Sequence, residues 1–169
     1  MIFKFRVILD SKEDIFRDIE ILDSQSFESF HKGIYKAFGF DGQEMATFYI
    51  SDDDWKQGEE IVQMDMGIPN SYVMNQTLIE DLADDVGDKF IYVYDLFNYW
   101  TFFVELVEVR ENDHSRNYPK VITSVGKMLN EAPKKKFTST SIEENFDLEE
   151  EFDDDDDFSS FDNIDDLDL

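Results

Sequence analysis

The charge distribution near the C-terminal end is the feature that most constrains what this chain can fold into. Residues 143–169 contain 15 carboxylates and no Lys or Arg, and acidic residues separate the aromatic and aliphatic side chains of this segment. Such a segment buries too little apolar surface to offset the entropy lost on ordering its backbone. We therefore predict one folded domain over residues 1–136 and a disordered acidic tail over residues 137–169.

The folded part is acidic as well. The chain has 41 acidic and 15 basic residues, and all the basic ones precede residue 143, so residues 1–142 carry a net charge of −11. Affinity for nucleic-acid phosphates and anionic lipids comes mainly from Lys and Arg. We therefore expect no direct binding of nucleic acid or of a membrane, and a preference for a protein partner with a basic surface.

The expected location is cytoplasmic. The chain contains no cysteine, which fits a reducing compartment. Its first residues lack the apolar run of a signal peptide, and no stretch of about 18 apolar residues is present to span a membrane.

Hydrophobic periodicity predicts a hairpin and a helix in the first quarter of the chain. Alternation over residues 2–9 indicates a half-buried strand, and residues 15–22 are expected to pair back with it. A helix is expected to begin after Ser26 and to end near Gly39. Its apolar residues recur at spacings of three and four, which places them on one face: Phe27, Phe30, Ile34 and Phe38.

The remaining pattern completes an α+β domain. A third strand is predicted over residues 44–50, a polar irregular stretch over 52–76, and a short helix over 78–85 from the capping-box spacing of Thr77 and Glu80. Residues 89–97 and 99–109 predict a second, aromatic hairpin, and residues 112–136 a loop. The element order predicts a mixed, mainly antiparallel sheet with one main helix on one face, in a β-grasp-like arrangement.

The segment FIYVYDLFNYWTF, residues 90–102, resembles the signature of the plasmid pRiA4b ORF-3-like family, in which Tyr-x-Tyr-Asp precedes Phe-Gly-Asp-x-Trp-x-His. The upstream FRDIE and AFGF segments and the later landmarks Tyr118–Pro119, Gly126 and Pro133 are similar to the family's, so the resemblance covers about residues 1–135. The family is largely uncharacterised and occurs in mobile-element neighbourhoods.

The chain departs from the family pattern at several polar positions. Phe97 and Asn98 replace its Gly-Asp, Phe102 replaces its His, and Lys134-Lys135 replaces an acidic pair. If those polar groups form a site in relatives, the resemblance implies that this chain lacks it. No recombinase activity is inferred, because no matching serine or tyrosine chemistry is present.

No metal, cofactor or catalytic site is predicted. A zinc site needs several closely spaced His or Cys ligands, whereas this chain has two distant histidines, His31 and His114. We expect His31 near the helix surface, His114 in a polar loop, and Asp52–Asp54 in a solvated turn rather than a cation site. Neither a Ser-His-Asp set nor a glycine-rich phosphate loop is present.

Asp95 is the acidic residue within the densest aromatic stretch. On a continuous strand it would lie on the face opposite Tyr92 and Tyr94, and its expected role is to accept hydrogen bonds from amides of the 97–99 turn. A small enzyme or ligand-binding site at Asp95, Asn98 and Trp100 is the alternative. Because residues 90–109 contain no Lys or Arg, their aromatic rings are interpreted as core rather than as a base-stacking platform: Tyr92, Tyr94, Trp100, Phe102 and Phe103.

The apolar residues of the tail predict a binding arm. Acidic and apolar residues that alternate in this way are typical of disordered segments that dock on a partner. The expected partner is a basic protein, including one that handles nucleic acid, and the expected contacts are Phe146, Phe152, Asp155, Phe158, Phe161, Ile164 and Leu167. A purely solubilising tail and a nucleic-acid mimic that acts on a DNA- or RNA-handling protein are the alternatives.

Overall fold

The computed structural model describes residues 1–114 and 117–133. The chain divides into two units, Met1–Pro133 and Lys134–Leu169, and the architecture below is that of the first. Its elements are β1 (Ile2–Leu9), β2 (Phe16–Leu22), α1 (Phe27–Ala37), β3 (Ala46–Ser51), β4 (Gln57–Val62), β5 (Tyr72–Val73), a 3₁₀ turn (Met74–Gln76), α2 (Ile79–Leu82), β6 (Lys89–Tyr94), β7 (Trp100–Arg110) and β8 (Lys120–Val125). The predicted tail over 137–169 lies outside the described residues.

The strands form one eight-stranded sheet in the order β5-β4-β3-β6-β7-β1-β2-β8. Neighbouring strands are antiparallel except β4 and β5, which are parallel. The predicted α+β class, with a mixed and mainly antiparallel sheet and one main helix, is confirmed. None of the helices in the described ranges is long and apolar enough to cross a membrane.

Local sequence signals place the first hairpin and the main helix correctly. In β1 the residues at odd positions are buried and those between them are half-buried, as the alternation predicts. Ser26 caps α1, because its Oγ accepts a hydrogen bond from the Ser29 amide at 3.1 Å. Gly39 follows the helix with a φ of +83°, a left-handed value that glycine adopts at little cost.

The helix lies across one face of the sheet, and aromatic rings fill the space between them. Phe30 packs against Phe5 of β1 and Phe48 of β3, with ring centroids 4.7 and 5.6 Å apart. Phe27 meets the edges of Phe48 and Phe90 at 5.2 and 5.4 Å. These stacked, tilted and edge-to-face pairs bury large apolar surfaces and contribute to the hydrophobic stabilisation of the domain.

Three strands lie where the sequence predicted irregular chain. β4 and β5 occupy part of the 52–76 stretch, and β8 occupies part of the predicted 112–136 loop. Four of the six residues of β4 and three of the six residues of β8 are exposed, because both strands lie at or near an edge of the sheet. A strand that buries few side chains shows little apolar alternation, so hydrophobic periodicity does not identify it.

The short helix α2 also differs from its prediction. It spans four residues rather than 78–85, and the Leu78 amide donates to Asp81 Oδ2 at 2.8 Å. The Thr77 hydroxyl instead donates to the Val73 carbonyl at 2.8 Å, which closes the preceding 3₁₀ turn. The capping contact is therefore shifted by one residue from the predicted Thr77–Glu80 pair.

Candidate functional site

The turn between β6 and β7 is organised by Asp95. Asp95 Oδ1 accepts hydrogen bonds from the amides of Phe97 and Asn98 at 3.1 and 3.2 Å, and Oδ2 accepts one from Asn98 Nδ2 at 2.7 Å. The Tyr99 amide donates to the Asp95 carbonyl and closes the turn at 2.6 Å. The carboxylate therefore makes the amide contacts expected of it from the sequence.

The position of Asp95 on the strand differs from the prediction. β6 ends at Tyr94, and Asp95 has a φ of +66°, so the strand does not continue to residue 97 and Asp95 does not belong to either of its faces. Aspartate tolerates this left-handed conformation better than most residues because its short side chain can bond the local backbone. The strand stops here because the Asp95 side chain replaces ladder hydrogen bonds with turn hydrogen bonds.

The pKa of Asp95 is lowered from its ordinary value. Burial alone raises it, but hydrogen bonds from the Asn98 side chain and from the amides of Asn98 and Phe97 outweigh that effect. The group is therefore ionised at neutral pH and both oxygens accept hydrogen bonds, which suits a structural acceptor better than a general acid.

Asp95, Asn98 and Trp100, the residues of the alternative enzyme or ligand-binding site, do not line a shared pocket. Asn98 points its amide at Asp95, whereas the Trp100 ring is buried and meets the edge of the Phe40 ring at 5.2 Å. Trp100 thus belongs to the core, and the Asp95–Asn98 pair belongs to the turn.

The turn presents apolar side chains to solvent. Phe97 lies at the tip of the turn and is 92% exposed. Leu96 before it and Tyr99 after it are also exposed. By register, β3 begins at Ala46 beside Tyr94, and β4 ends at Val62 beside Thr47. Two further exposed side chains therefore lie at the same end of the sheet, and together the five residues form what we term the apolar rim: Met45, Met64, Leu96, Phe97 and Tyr99.

Acidic residues accompany the apolar rim. Asp41 and Glu44 precede Met45, and Asp65 follows Met64. Asp41 is held near the end of β6, since its Oδ1 lies 3.4 Å from the Tyr94 hydroxyl, which donates to it. An exposed apolar patch with an acidic border is complementary to a basic amphipathic segment.

The aromatic residues of the second hairpin are mostly core, as expected from the lack of nearby cations. Tyr92, Tyr94 and Phe102 are buried against the helix side, and Phe103 packs on Trp55 with centroids 5.0 Å apart. The opposite face of the sheet carries a ladder of cross-strand ion pairs rather than exposed rings: Lys4–Glu108, Arg6–Asp18 and Arg110–Glu20. This arrangement offers no aromatic platform for nucleic-acid bases on the described sheet.

His31 is buried in the core rather than near the helix surface, so that expectation is wrong. It is 3% exposed, and its Nδ1 lies 2.7 Å from the Tyr92 hydroxyl. Burial lowers the pKa of His31 to about 4, with a smaller contribution from the positive charge of Lys32. The signal that identifies it is spacing, since His31 follows Phe27 by one helical turn on the apolar stripe.

The remaining metal candidates act as turn residues. Asp52 Oδ1 accepts from the amides of Asp54 and Lys56 at 2.8 and 3.0 Å, and the bond from Lys56 is the main reason that the pKa of Asp52 is lowered. His114 lies in an exposed stretch, as predicted. Across residues 1–114 and 117–133, no group of three or more His, Cys, Asp or Glu side chains is placed to hold a metal ion.

The predicted contacts of the binding arm lie outside the described residues: Phe146, Phe152, Asp155, Phe158, Phe161, Ile164 and Leu167. They remain predictions from the sequence.

Comparison with known proteins identifies a family and a fold. The family model for plasmid pRiA4b ORF-3-like protein matches residues 1–135. No curated protein matches the chain. The crystal structure of a protein of unknown function from Methanosarcina mazei Go1 is similar, with a TM-score of 0.62 at 14% identity, covering 73% of this chain and 68% of that one. At this identity the similarity shows the fold alone.

Proposed function

The chain belongs to the plasmid pRiA4b ORF-3-like family, and we propose that it is a cytoplasmic, non-catalytic protein-interaction module that binds a basic partner. The observation that carries the proposal is the Phe97 side chain, which is 92% exposed on a turn that Asp95 holds in place. A large aromatic residue in water has an unfavourable hydration free energy, which burial at an interface removes.

The rigidity of the turn supports a role in binding. Three hydrogen bonds to the Asp95 carboxylate and one to its carbonyl fix the backbone on both sides of Phe97. A preorganised aromatic anchor loses little conformational entropy on binding, so more of the contact energy remains as affinity. Interfaces commonly depend on a few such anchors.

Charge supports the choice of partner. The apolar rim is bordered by Asp41, Glu44 and Asp65, and residues 143–169 add 15 carboxylates without a basic residue. We propose that this negative charge accelerates encounter with a basic protein, that Phe97 anchors the domain, and that the apolar residues of the C-terminal segment, such as Phe158 and Phe161, add affinity.

The polar groups of the fold favour this proposal over an enzyme. The Asp95 carboxylate is ionised and its two oxygens accept three hydrogen bonds, and the imidazole of His31 is buried against Tyr92. Neither group has the combination of access and a pKa near neutrality that general acid–base catalysis needs.

A peptide titration of the full chain tests the proposal. The probe is a synthetic amphipathic helical peptide with Lys and Arg on one face and Leu on the other. Phe97→Ala is expected to weaken binding at least about tenfold, the loss typical of an anchor residue. Added salt is expected to weaken binding of the unchanged chain as well.

The matched control is Val86→Ala, because Val86 is exposed and lies just before β6, at the opposite end of that strand from Phe97. It is expected to bind like the unchanged chain. Equal affinity of all three proteins for the peptide, or an affinity that does not respond to salt, contradicts the proposal. If duplex DNA competes with the chain for its natural basic partner, the result supports the alternative of a nucleic-acid mimic instead.

A further inference from the structure

A groove beside α1 is lined by two lysines, in contrast to the acidic border of the apolar rim. It lies between α1 and residues 117–121 and has a volume of about 540 Å³. Ser29, Lys32 and Lys36 line it on the helix side, and Tyr118, Pro119 and Val121 line the facing wall. A groove of this size can hold several residues of a peptide.

Gly33 brings the two walls together. A Cβ atom at position 33 would lie 2.9 Å from Pro119 Cγ, closer than real Cβ contacts. The Gln25 side chain adds a tie, since its Nε2 donates to the Tyr118 carbonyl at 2.9 Å and its Oε1 accepts from the Leu22 amide at 3.1 Å. The close approach of Gly33 to Pro119 and the Gln25–Tyr118 hydrogen bond therefore fix the width of the groove.

The lysines at the groove form no ion pair with the described residues, in contrast to four other cations of the domain. Lys4, Arg6, Lys89 and Arg110 each form an ion pair with a carboxylate. The ion pairs formed within residues 1–114 and 117–133 include neither of the two lysines that line the groove, Lys32 and Lys36.

The placement of these lysines concentrates positive charge. Lys32 and Lys36 are exposed and one helical turn apart, so they lie on the same face of α1, where their like charges repel each other. Lys120 does not line the groove, but it lies over the ring of Tyr118, which does, with Nζ 4.8 Å from the ring centroid. An anion in the groove relieves the repulsion, and the net charge of −11 over residues 1–142 makes this positive patch an exception on the domain.

The groove leads onto an unpaired strand edge. β8 begins at Lys120, pairs with β2 on one side, and is the last strand of the sheet as described. Its side chains Val121 and Ile122 are each 44% exposed. An edge strand presents backbone N–H and C=O groups to which an extended peptide can add as a further strand.

We propose that the α1–β8 groove binds an acidic peptide segment of a partner in extended conformation. Its backbone pairs with the outer edge of β8, and its carboxylates pair with Lys32 and Lys36. The strand edge favours a peptide over a nucleic acid, because a nucleic acid has no backbone that can continue a β-ladder. The surface and the charge differ from those of the apolar rim, so this inference is independent of the proposed function.

Fluorescence anisotropy of the full chain with a labelled peptide of alternating Glu and Val tests the inference. The Lys32→Glu/Lys36→Glu variant is expected to bind at least about tenfold more weakly, because two attractive charges become repulsive. The matched control is Lys12→Glu/Lys56→Glu, which changes the net charge equally at two exposed lysines outside the groove lining. It is expected to retain binding within about twofold.

Hydrogen exchange distinguishes strand addition from simple charge attraction. With the peptide bound, amides within residues 120–125 are expected to gain protection, whereas amides of the apolar rim are not. Equal loss of affinity in the two double variants, no binding by the unchanged chain, or no added protection in β8 overturns the proposal. Stronger binding of a single-stranded RNA oligonucleotide that depends on Lys32 and Lys36 also overturns it, in favour of a nucleic-acid groove.

Discussion

His31 of α1 and Tyr92 of β6 share a hydrogen bond of 2.7 Å between the histidine Nδ1 and the tyrosine hydroxyl. Both residues are buried, and the bond joins the main helix to a central strand of the sheet. Each side chain satisfies the hydrogen-bonding capacity of the other within the core, so removing one partner leaves the other buried and unsatisfied.

Tyr92→Phe is expected to lower the free energy of unfolding by about 1–3 kcal/mol, because it leaves the His31 ring nitrogen buried without that partner. Urea denaturation measures the change. Tyr72→Phe is the control: the Tyr72 hydroxyl makes no hydrogen bond with the described residues, so a change within about 0.5 kcal/mol is expected. Equal destabilisation by both substitutions would contradict the importance of the pair.

Stability is expected to fall as the pH decreases from about 6.5 to about 4 because of His31. Its pKa is about 4 in the folded state against the ordinary histidine value of 6.5 in the unfolded chain, so the unfolded chain binds the proton first. The full effect is roughly 3 kcal/mol. Because carboxylates also titrate in this range, the measurement is the difference in unfolding free energy between the unchanged chain and His31→Gln at each pH. A difference that does not change with pH contradicts the prediction.

Substitutions at Asp95 are expected to separate the stability that comes from its side-chain hydrogen bonds from the stability that depends on its left-handed backbone conformation. Asp95→Ala loses the acceptor and places an alanine at a φ of +66°, so it is expected to lose about 2 kcal/mol or more. Asp95→Gly loses the acceptor but accepts the conformation, and Asp95→Asn keeps one acceptor oxygen, so smaller losses are expected. Thermal unfolding measures the order, and Asp95→Asn as the least stable variant would contradict it.

Gly33→Ala is expected to destabilise the domain although alanine favours helix. Helix propensity alone would add about 1 kcal/mol of stability. The new Cβ would meet the Pro119 ring within 3.0 Å, however, and such overpacking costs typically about 1–3 kcal/mol. Lys32→Ala on the same helix is the control, with an expected change within about 0.5 kcal/mol. A more stable Gly33→Ala protein would show that the groove wall is free to move.

Phe97→Ala is expected to leave the stability of the fold unchanged within about 0.5 kcal/mol, since a side chain exposed to this degree makes few contacts to lose. Denaturant unfolding of the variant beside Phe102→Ala shows the contrast. Phe102 is fully buried, and its truncation is expected to cost about 3–5 kcal/mol. A large loss from Phe97→Ala would mean that the residue serves the fold rather than a partner.

Local signals in the sequence determined several elements directly. The alternation over residues 2–9 specified a strand and its buried face, because side chains in a strand point to opposite sides in turn. The spacing of Phe27, Phe30 and Ile34 after a capping Ser26 specified the helix and the face that packs on the sheet. The motif around Tyr94 and Trp100 also identified the family, with a match over residues 1–135.

Only the tertiary structure decided the roles of Phe97, His31 and β8. The left-handed turn at Asp95 exposes Phe97, although the sequence predicted that Phe97 is the last residue of a strand over residues 89–97. Burial of His31 depends on the hydroxyl of Tyr92, 61 residues away. The groove beside Lys32 and Lys36 exists because β8 pairs with β2, about a hundred residues earlier in the chain. The physical reason is the sequence separation of the contacts. Hydrophobic periodicity indicates which side of a helix or strand is buried. Strand pairing and the exposure of turns depend on contacts between distant segments, which a local pattern does not encode.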